Sequence, residues 1–263
     1  MLTHLDIPLA EYHADTEHAS NSRLRSFRER GAAYYNARYI ARTLPDTKPT
    51  AAMVLGSAFE DLVQRPDEWP SLYAVKPDDH DGRTVDGKAW TKANAARAQV
   101  SADDGARLQR MADRAWDLLA CGEGPQGTML VQPSFRATVE GVKCQARPDW
   151  IVGDAVLDLK STDSINDVDR SIATYGYHTQ CMLAHACMHG DIEAAGRPSW
   201  LLFVEKQEPH RGVLVELDLS WLAIASATLG RDLALLRQCQ ASGEWPLVWS
   251  KTIVSSAPPW VTV

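Results

Sequence analysis

The pattern of apolar and polar positions predicts helices in the first half of the chain. Behind N-cap candidates at residues 20–22, apolar and aromatic side chains recur at roughly helical spacing as far as residue 35. Residues 51–64, AAMVLGSAFEDLVQ, predict another helix, and residues 91–119 predict a polar one. Between them, residues 70–90 are rich in Gly, Pro and Asp, so we expect a long surface loop of the kind that often carries function.

In the second half the apolar runs shorten and become typical of strands. The runs SFRATVE, VKCQARPDWIV and AVLDLKS are joined by Glu140-Gly141 and Gly153-Asp154, which both suit two-residue hairpin turns. A helix at about 168–189, two strands in WLLFVEKQ and GVLVELDL, and a final helix at about 220–240 follow. This order predicts an α/β fold in which helices flank a mixed central sheet of about five strands.

We expect residues 1–263 to form a single domain. Its parts are an N-terminal extension (1–19), a mainly helical part (20–130) with the long loop 70–90, a sheet with its helix (131–219), and a C-terminal helix and tail (220–263). A chain of 263 residues is long enough to bury a substantial core in one such domain.

Composition and charge narrow the class of protein further. No apolar run approaches the roughly 18 residues that a membrane span needs, and the N-terminus is too acidic for a signal peptide. Five cysteines without a CxxC pair argue against a disulfide framework, a zinc knuckle or an iron–sulfur cluster, so a reducing cytoplasm is the simplest setting. The net charge of −7 weighs against a surface that binds nucleic acid everywhere, and any nucleic-acid site must therefore be local.

The stretch ARPDWIVGDAVLDLKST sets two acids into otherwise apolar strands. If the Gly153-Asp154 turn is of type II′, counting outward from it brings Asp149 opposite Asp158. Directly opposed side chains lie about 4.5–5.5 Å apart at Cβ, where like charges destabilise the pair. Lys160 follows two positions after Asp158 and therefore points to the same face, with Arg147 opposite it.

Two carboxylates this close must share either a proton or a cation. A hard divalent ion such as Mg²⁺ would relieve the repulsion, because it binds oxygen ligands, and Lys160 beside it could orient a water or stabilise charge on a phosphate. The alternative is a surface cluster of salt bridges that pairs Arg147 and Lys160 with the two acids. The apolar flanking residues and the pairing of acid with acid favour the metal site over that cluster.

The residues around the two acids resemble a known signature. Pro148-Asp149, a short hairpin and then Asp158-Leu159-Lys160 resemble the PD-(D/E)xK motif of the restriction-endonuclease-like nuclease superfamily. In order along the chain, LGSAFEDLV, ARPDW, DLKST, YHTQ, FVEKQEP, CQASGEWP and the terminal PPW resemble the exonuclease VIII (RecE-type) domain of phages and prophages. Each piece is weak alone, but the ordered set, from about residue 20 to 260, is specific.

The resemblance implies a Mg²⁺-dependent exodeoxyribonuclease, in which Mn²⁺ would substitute. Such an enzyme would digest linear double-stranded DNA from its 5′ ends and leave 3′ overhangs for a single-strand annealing recombinase. The resemblance also suggests a ring-shaped homo-oligomer without membrane association. The setting it implies is a bacterial cytoplasm, with a phage or prophage origin.

Carried over residue by residue, the resemblance makes Asp149 and Asp158 metal ligands, with the Leu159 carbonyl as a further one. It makes Lys160 the catalytic lysine. Glu60 falls where related nucleases often carry a histidine, and as an oxygen donor it is still suited to a hard ion.

Gln180, in YHTQ, is our candidate for a contact to a phosphate or a water, although the tyrosine that related nucleases carry four residues later is Ala184 here. The candidates for DNA contact are Arg23, Arg25, Arg28, Arg83, Lys88, Arg147, Thr162, Tyr177 and His178. For the charged residues among them a solvated surface position is the more ordinary interpretation. Tyr177 and His178 are equally suited to packing on their helix.

Two alternatives to this function stay open. One is another PD-(D/E)xK nuclease, such as a RecB-like or Cas4-like single-strand exonuclease, although the cysteine pattern of the cluster-bearing members is missing. The other is a non-catalytic DNA-binding scaffold with the same fold, which the intact acid–acid–lysine set disfavours.

Overall fold

The computed structural model describes residues 4–45 and 48–247. Within them the α-helices are α1 (Leu9–Ala14), α2 (Asn21–Arg30), α3 (Ala32–Tyr35), α4 (Ala51–Gln64), α5 (Trp69–Leu72), α6 (Val85–Ala93), α7 (Ala102–Ala120), α8 (Val168–Tyr175), α9 (Tyr177–His189) and α10 (Leu219–Ser242). The strands are β1 (Tyr73–Val75), β2 (Ala98–Val100), β3 (Met129–Val131), β4 (Phe135–Val139), β5 (Val142–Ala146), β6 (Trp150–Val152), β7 (Ala155–Thr162), β8 (Ser199–Glu205) and β9 (Gly212–Glu216). A π-helical turn, Asn36–Ile40, follows α3. Most of the C-terminal tail, with the terminal PPW of the resemblance, lies outside the described residues.

A five-stranded mixed sheet in the order β3-β6-β7-β8-β9 confirms the predicted fold class. β7 and β8 run parallel, and the other neighbours in this sheet are antiparallel. β7 lies at the centre, and most of its eight residues are buried because helices cover both faces of the sheet.

Side chains of β7 alternate between two separate apolar clusters, as the pleat of a strand requires. Val156 packs on one face with buried residues of α9 and α10. Leu157 and Leu159 pack on the other face with buried residues of α4 and α7. Asp158 and Lys160 share the pleat of Val156, so their side chains point toward the α9 face.

The predicted strand VKCQARPDWIV is wrong as a single element, because the chain leaves strand geometry between Ala146 and Trp150. Its first half is β5, which pairs with β4 in a separate two-stranded sheet, so SFRATVE does not belong to the central sheet. Pro148 lies in the break and has no N–H to donate to a ladder. The neighbour of β6 is instead β3, a three-residue strand whose partly exposed side chains carry little sequence signal.

The loop expected at 70–90 is shorter than predicted, and the helix expected at 91–119 is divided. β1 lies in the predicted loop and pairs in parallel with β2, which lies in the predicted helix. α6 begins after Thr84, whose Oγ1 accepts a hydrogen bond from the Gly87 N–H at 3.0 Å. α7 is capped in the same way by Ser101. The N-cap at Thr84 begins a helix inside the predicted loop, and the N-cap at Ser101 begins a new helix within the segment that was predicted as one helix.

The helix predicted at 168–189 is two helices, because Gly176 interrupts it in a left-handed conformation (φ +69°, ψ +36°). Glycine adopts this conformation without the steric penalty of a Cβ atom. The break lets α9 begin at Tyr177 and pack along β4, β5 and β7. α9 therefore covers the sheet face to which Asp158 points.

α10 is apolar on average, although charged residues such as Arg231 and Asp232 interrupt its apolar runs. Among the described helices it is the one long and apolar enough to cross a membrane by length and composition. Its buried side, which includes Leu229, Leu233 and Leu236, belongs to the same core cluster as α9. On that side the buried Asp232 pairs with Arg28 of α2 at 2.7 Å, as in the core helix of a globular fold.

Candidate active site

The β6–β7 hairpin has the register that the sequence predicts. Trp150 pairs with Leu157, Ile151 with Val156 and Val152 with Ala155. In the turn, Gly153 has a positive φ of +64° and Asp154 does not, which is the pattern of a type II′ turn.

The next position outward brings Asp149 and Asp158 together. The Asp149 N–H donates to Asp158 Oδ1 at 3.1 Å, and the Leu159 N–H donates to Asp149 Oδ2 at 2.7 Å. Each carboxylate is therefore held by the backbone of the opposite strand. Asp158 is completely buried and Asp149 is partly buried, so the two negative charges meet where water screens them little.

Lys160 supplies positive charge at the same place. Its Nζ lies 3.2 Å from Asp158 Oδ2 and 5.0 Å from the centroid of the Tyr177 ring. Burial by itself lowers the pKa of Lys160, but the carboxylates of Asp158, Asp149 and Glu60 raise it above its ordinary value. The ammonium therefore stays charged at neutral pH.

Glu60 on α4 adds a third carboxylate to the field of this cluster. Burial raises the pKa of Glu60, the Lys160 ammonium lowers it, and the Asp158 charge raises it again, with a net upward shift. Burial likewise raises the pKa of Asp149 well above its ordinary value, and the charge of Asp158 adds to that increase. Three carboxylates thus share one ammonium, which leaves the cluster short of positive charge.

A divalent cation would supply the positive charge that this cluster of carboxylates lacks. Asp158 Oδ2 is a buried oxygen that has no hydrogen-bond partner among the described residues, and its contact to Lys160 Nζ is an ion pair without hydrogen-bond geometry. Oxygen donors of carboxylates are the ligands that Mg²⁺ prefers. In residues 4–45 and 48–247 no three His, Cys, Asp or Glu side chains already form a group that could hold a metal ion, so Glu60 must approach the pair for all three to serve as ligands.

A cavity of about 860 Å³ opens in front of Asp158. Gln180 of α9 lines it beside Asp158, and Arg147 lines it from the segment that precedes β6. The structure therefore places Gln180 in the same cavity as Asp158, and it places the Tyr177 ring under the Lys160 ammonium. His178 turns away, since its Nδ1 lies 3.2 Å from the Ile172 carbonyl and its ring packs against Trp221.

Arg147 does not join the two acids as the sequence suggested. Its guanidinium donates to the Ile7 carbonyl at 2.7 Å and to Ser134 Oγ at 3.1 Å. The reason is the break after β5, which places Arg147 outside the β6–β7 ladder. The sequence predicted two acids and two bases at this place. The structure instead has the two acids and Lys160, with Glu60 as a neighbouring acid.

The remaining candidates for DNA contact lie in different surroundings. Arg23 lines the cavity, whereas Arg28 is committed to Asp232 and Arg25 pairs with Glu29. Arg83 and Lys88 are exposed, far along the chain from the acids, and Arg83 pairs with Asp81 at 2.9 Å. Thr162 ends β7, where its Oγ1 donates to the Ser164 carbonyl at 3.1 Å. Of this group, the structure brings Arg23 to the cavity, whereas Arg25, Arg28, Arg83 and Thr162 have partners within the protein.

Sequence reasoning missed two arginines and one segment at the cavity. Arg38 and Arg42 line it, as do Tyr12, His13, Ala14 and Thr16, which were expected to belong to an N-terminal extension. The run of arginines in residues 23–42 was the signal that could have indicated Arg38 and Arg42.

Comparison with known proteins identifies the family and the fold of this chain. Residues 20–251 match the model of a family described as a PDDEXK-like domain of unknown function (DUF3799). The fold is similar to that of a candidate exonuclease from Eubacterium rectale, with a TM-score of 0.61 and 14% identity over 90% of this chain and 88% of that one. An alkaline exonuclease from Laribacter hongkongensis matches with a TM-score of 0.28 and 18% identity over 63% of this chain and 89% of that one. No curated protein matches. The family match confirms the PD-(D/E)xK resemblance, and the first neighbour supports the fold.

Proposed function

On the premise that this chain belongs to the PDDEXK-like family, we propose that it is a metal-dependent exodeoxyribonuclease that hydrolyses phosphodiester bonds of linear double-stranded DNA. The observation that carries the proposal is the pairing of Asp149 with Asp158 beside Lys160 on a buried central hairpin. Opposed like charges destabilise a strand pair, so their presence here is explained by a cation that they bind in function.

The residues of the site have complementary roles in this proposal. Asp149 and Asp158 would hold the ion, with Glu60 and the Leu159 carbonyl as further ligands. When bound, a divalent ion lowers the pKa of a water and neutralises charge on the phosphate.

Lys160 remains charged among the acids and is placed to orient the attacking water. It also counters the negative charge that develops as water adds to phosphorus and the leaving oxygen departs with a proton. The Gln180 amide, at the edge of the same cavity, would donate to a phosphate oxygen.

The finer features of the function are inferred from the family resemblance. They are Mg²⁺ as the working ion with Mn²⁺ as a substitute, digestion from 5′ ends, and 3′ overhangs that pass to a single-strand annealing recombinase. We also propose that the protein forms a ring-shaped homo-oligomer. It would act in the cytoplasm of a bacterium that hosts phage or prophage DNA.

One assay separates these possibilities. The protein is incubated with Mg²⁺ and linear duplex DNA labelled at the 5′ or the 3′ end, beside closed-circular duplex and single strands, with EDTA as the metal-free control. We expect loss of linear duplex alone, with early release of the 5′ label. Cutting of circles would indicate an endonuclease, digestion of single strands alone a RecB-like or Cas4-like enzyme, and binding without hydrolysis in Mg²⁺ or Mn²⁺ a scaffold.

A further inference from the structure

The cavity in front of Asp158 is larger than the acid pair needs. Its volume of about 860 Å³ lies in the upper part of the range of roughly 300–1,000 Å³ that is usual for ligand pockets. Its walls come from α2 and the π-helical turn, from residues 12–14 and Thr16, and from the segment 145–148, with α9 behind Asp158. A ligand that reaches Asp158 from this side has to contact these walls.

The walls are strongly basic in an acidic protein. Four arginines line the cavity, namely Arg23, Arg38, Arg42 and Arg147, and Asp158 is the only acid among the described lining residues. Burial lowers the pKa of His13, a further lining residue, and the positive charges of Arg147 and Arg23 lower it more. The cavity therefore has a positive potential although the chain has a net charge of −7.

One wall is formed by Tyr12, His13, Ala14 and Thr16. They belong to residues 4–19, which we call the N-terminal strap. The Leu5 N–H donates to the Ser134 carbonyl at 2.8 Å, and Gln145 Nε2 donates to the Tyr12 carbonyl at 3.1 Å. At its end, Ala19 exchanges backbone hydrogen bonds with β5 at 2.8 and 2.9 Å. The strap is thus attached to the β4–β5 hairpin along its length.

The strap also holds three of the four arginines through its carbonyl oxygens. Arg23 donates to the carbonyls of His18, at 2.8 Å, and of Asp15. Arg42 Nη2 donates to the Ala14 carbonyl at 3.4 Å, and Arg147 Nη1 to the Ile7 carbonyl at 2.7 Å.

These contacts orient the guanidinium groups and still leave N–H donors for a ligand. A guanidinium carries five N–H donors in a planar fork that matches phosphate oxygens. Arg147 Nε, for example, is buried and has no hydrogen-bond partner among the described residues.

We propose that the N-terminal strap is a built part of the substrate site: it walls the cavity and orients Arg23, Arg42 and Arg147 to bind phosphates of the DNA strand end beyond the scissile bond. The proposal rests on the proposed function and deepens it by assigning the ligand of the cavity. Residues 4–19 lie outside the span 20–251 of the family match, so the assignment of this wall rests on the structure of this chain and not on the family match.

The first test measures binding without turnover. Fluorescence anisotropy in EDTA follows a short duplex with a phosphate on one end and the full-length protein. Arg42→Gln, at an exposed residue, and Arg23→Gln should each weaken binding by roughly 10-fold, since a hydrogen bond to a charged group contributes about 1.5–3 kcal/mol. The matched control is Arg237→Gln, because Arg237 also donates to a backbone carbonyl, that of Glu140, but lies outside the cavity.

Ile7→Ser tests the strap itself, because it disturbs a buried strap residue without removing a cation. It should weaken binding as the arginine variants do, while circular dichroism confirms the fold. Duplexes with a terminal phosphate at the 5′ end, at the 3′ end or at neither identify which phosphate is bound. A loss confined to one phosphorylated end assigns a terminal monoester, and an equal loss for all three assigns internal phosphodiesters.

The second test keeps this inference separable from the proposed function. Bis(p-nitrophenyl) phosphate is too small to span the cavity, so its hydrolysis with Mn²⁺ reports on the acid pair separately: Asp158→Asn should lose it, and the control Arg237→Gln should keep the wild-type rate. If wild-type protein binds phosphorylated ends through Arg42 but hydrolyses neither substrate, the proposed function fails and the cavity assignment stands. If Arg42→Gln, Arg23→Gln and Ile7→Ser all bind DNA as tightly as Arg237→Gln, the strap has no part in the site.

Discussion

The β4–β5 and β6–β7 hairpins each reverse the chain through two residues, Glu140-Gly141 in the first and Gly153-Asp154 in the second. Their turns differ in type, since both Glu140 and Gly141 have positive φ whereas only Gly153 does in the other turn. The first hairpin is a separate two-stranded sheet that packs against α9, and the second supplies the centre of the main sheet.

The fourth residue pair outward from each turn distinguishes the hairpin that stabilises the fold from the hairpin that carries the candidate active site. In β4–β5 that position pairs Arg136 with Gln145, two groups that complement each other and bind the N-terminal strap through Asp15 and Tyr12. In β6–β7 the same position opposes Asp149 and Asp158. A pair that satisfies itself stabilises its hairpin, whereas a pair of like charges remains available to a cation.

The largest expected effect is a loss of catalysis on exchange of one acid. Asp158→Asn keeps the size of the side chain and its acceptor for the Asp149 N–H, but it halves the anionic charge of the pair. We expect hydrolysis of linear duplex and of bis(p-nitrophenyl) phosphate to fall by roughly 10²–10³-fold or more. Arg136→Gln, at the matched position of the other hairpin, should retain hydrolysis of the small substrate, and equal losses in both variants would contradict the comparison.

The second effect is on stability in the presence of metal. Because a ligand of the native state stabilises it by mass action, Mg²⁺ at about 100 times its Kd should raise the free energy of unfolding of the wild type by about 2.7 kcal/mol. Thermal denaturation with and without Mg²⁺ measures this increase. Asp149→Asn should lose it and Arg136→Gln should keep it, so an undiminished increase in Asp149→Asn would place the cation elsewhere.

The third effect compares the turn glycines by urea denaturation. Both Gly153→Ala and Gly141→Ala place a Cβ atom at positive φ, which costs roughly 1–2 kcal/mol. At Gly153 the new atom would also lie 3.0 Å from the Gln126 carbonyl oxygen, whereas at Gly141 it would meet the flexible Arg237 side chain at 3.0 Å. Gly153→Ala should therefore destabilise more, and the opposite order would show that the central hairpin tolerates strain better than the outer one.

The smallest effect concerns the exposed ion pair between Lys143 of β5 and Glu17 of the strap, at 2.7 Å. Solvent screens this pair, so Lys143→Ala should leave the melting temperature unchanged within error at physiological salt. A clear decrease would indicate that the outer hairpin and the strap depend on surface charge rather than on their backbone hydrogen bonds.

Much of the candidate site could be predicted because its geometry is local. The turn at Gly153 determines the register by counting, and the register places Asp149 opposite Asp158 without reference to the rest of the chain. Glu60 was harder, since only the packing of α4 on the sheet decides that its charge acts on Asp158 and Lys160. Arg147 was placed wrongly because the break at Pro148 ends one strand before it.

The amino-acid sequence by itself determined the mixed α/β class, the central hairpin and the acid–acid–lysine set, since each follows from periodicity and turn chemistry over a few residues. Only the tertiary structure decided that β4 and β5 leave the main sheet, that β3 replaces them beside β6, and that residues 12–14 and Thr16 wall a basic cavity. Strand partners and cavity walls depend on contacts between segments far apart in the chain. Such contacts form where the packing of the whole molecule is most favourable, and no short stretch of sequence specifies them.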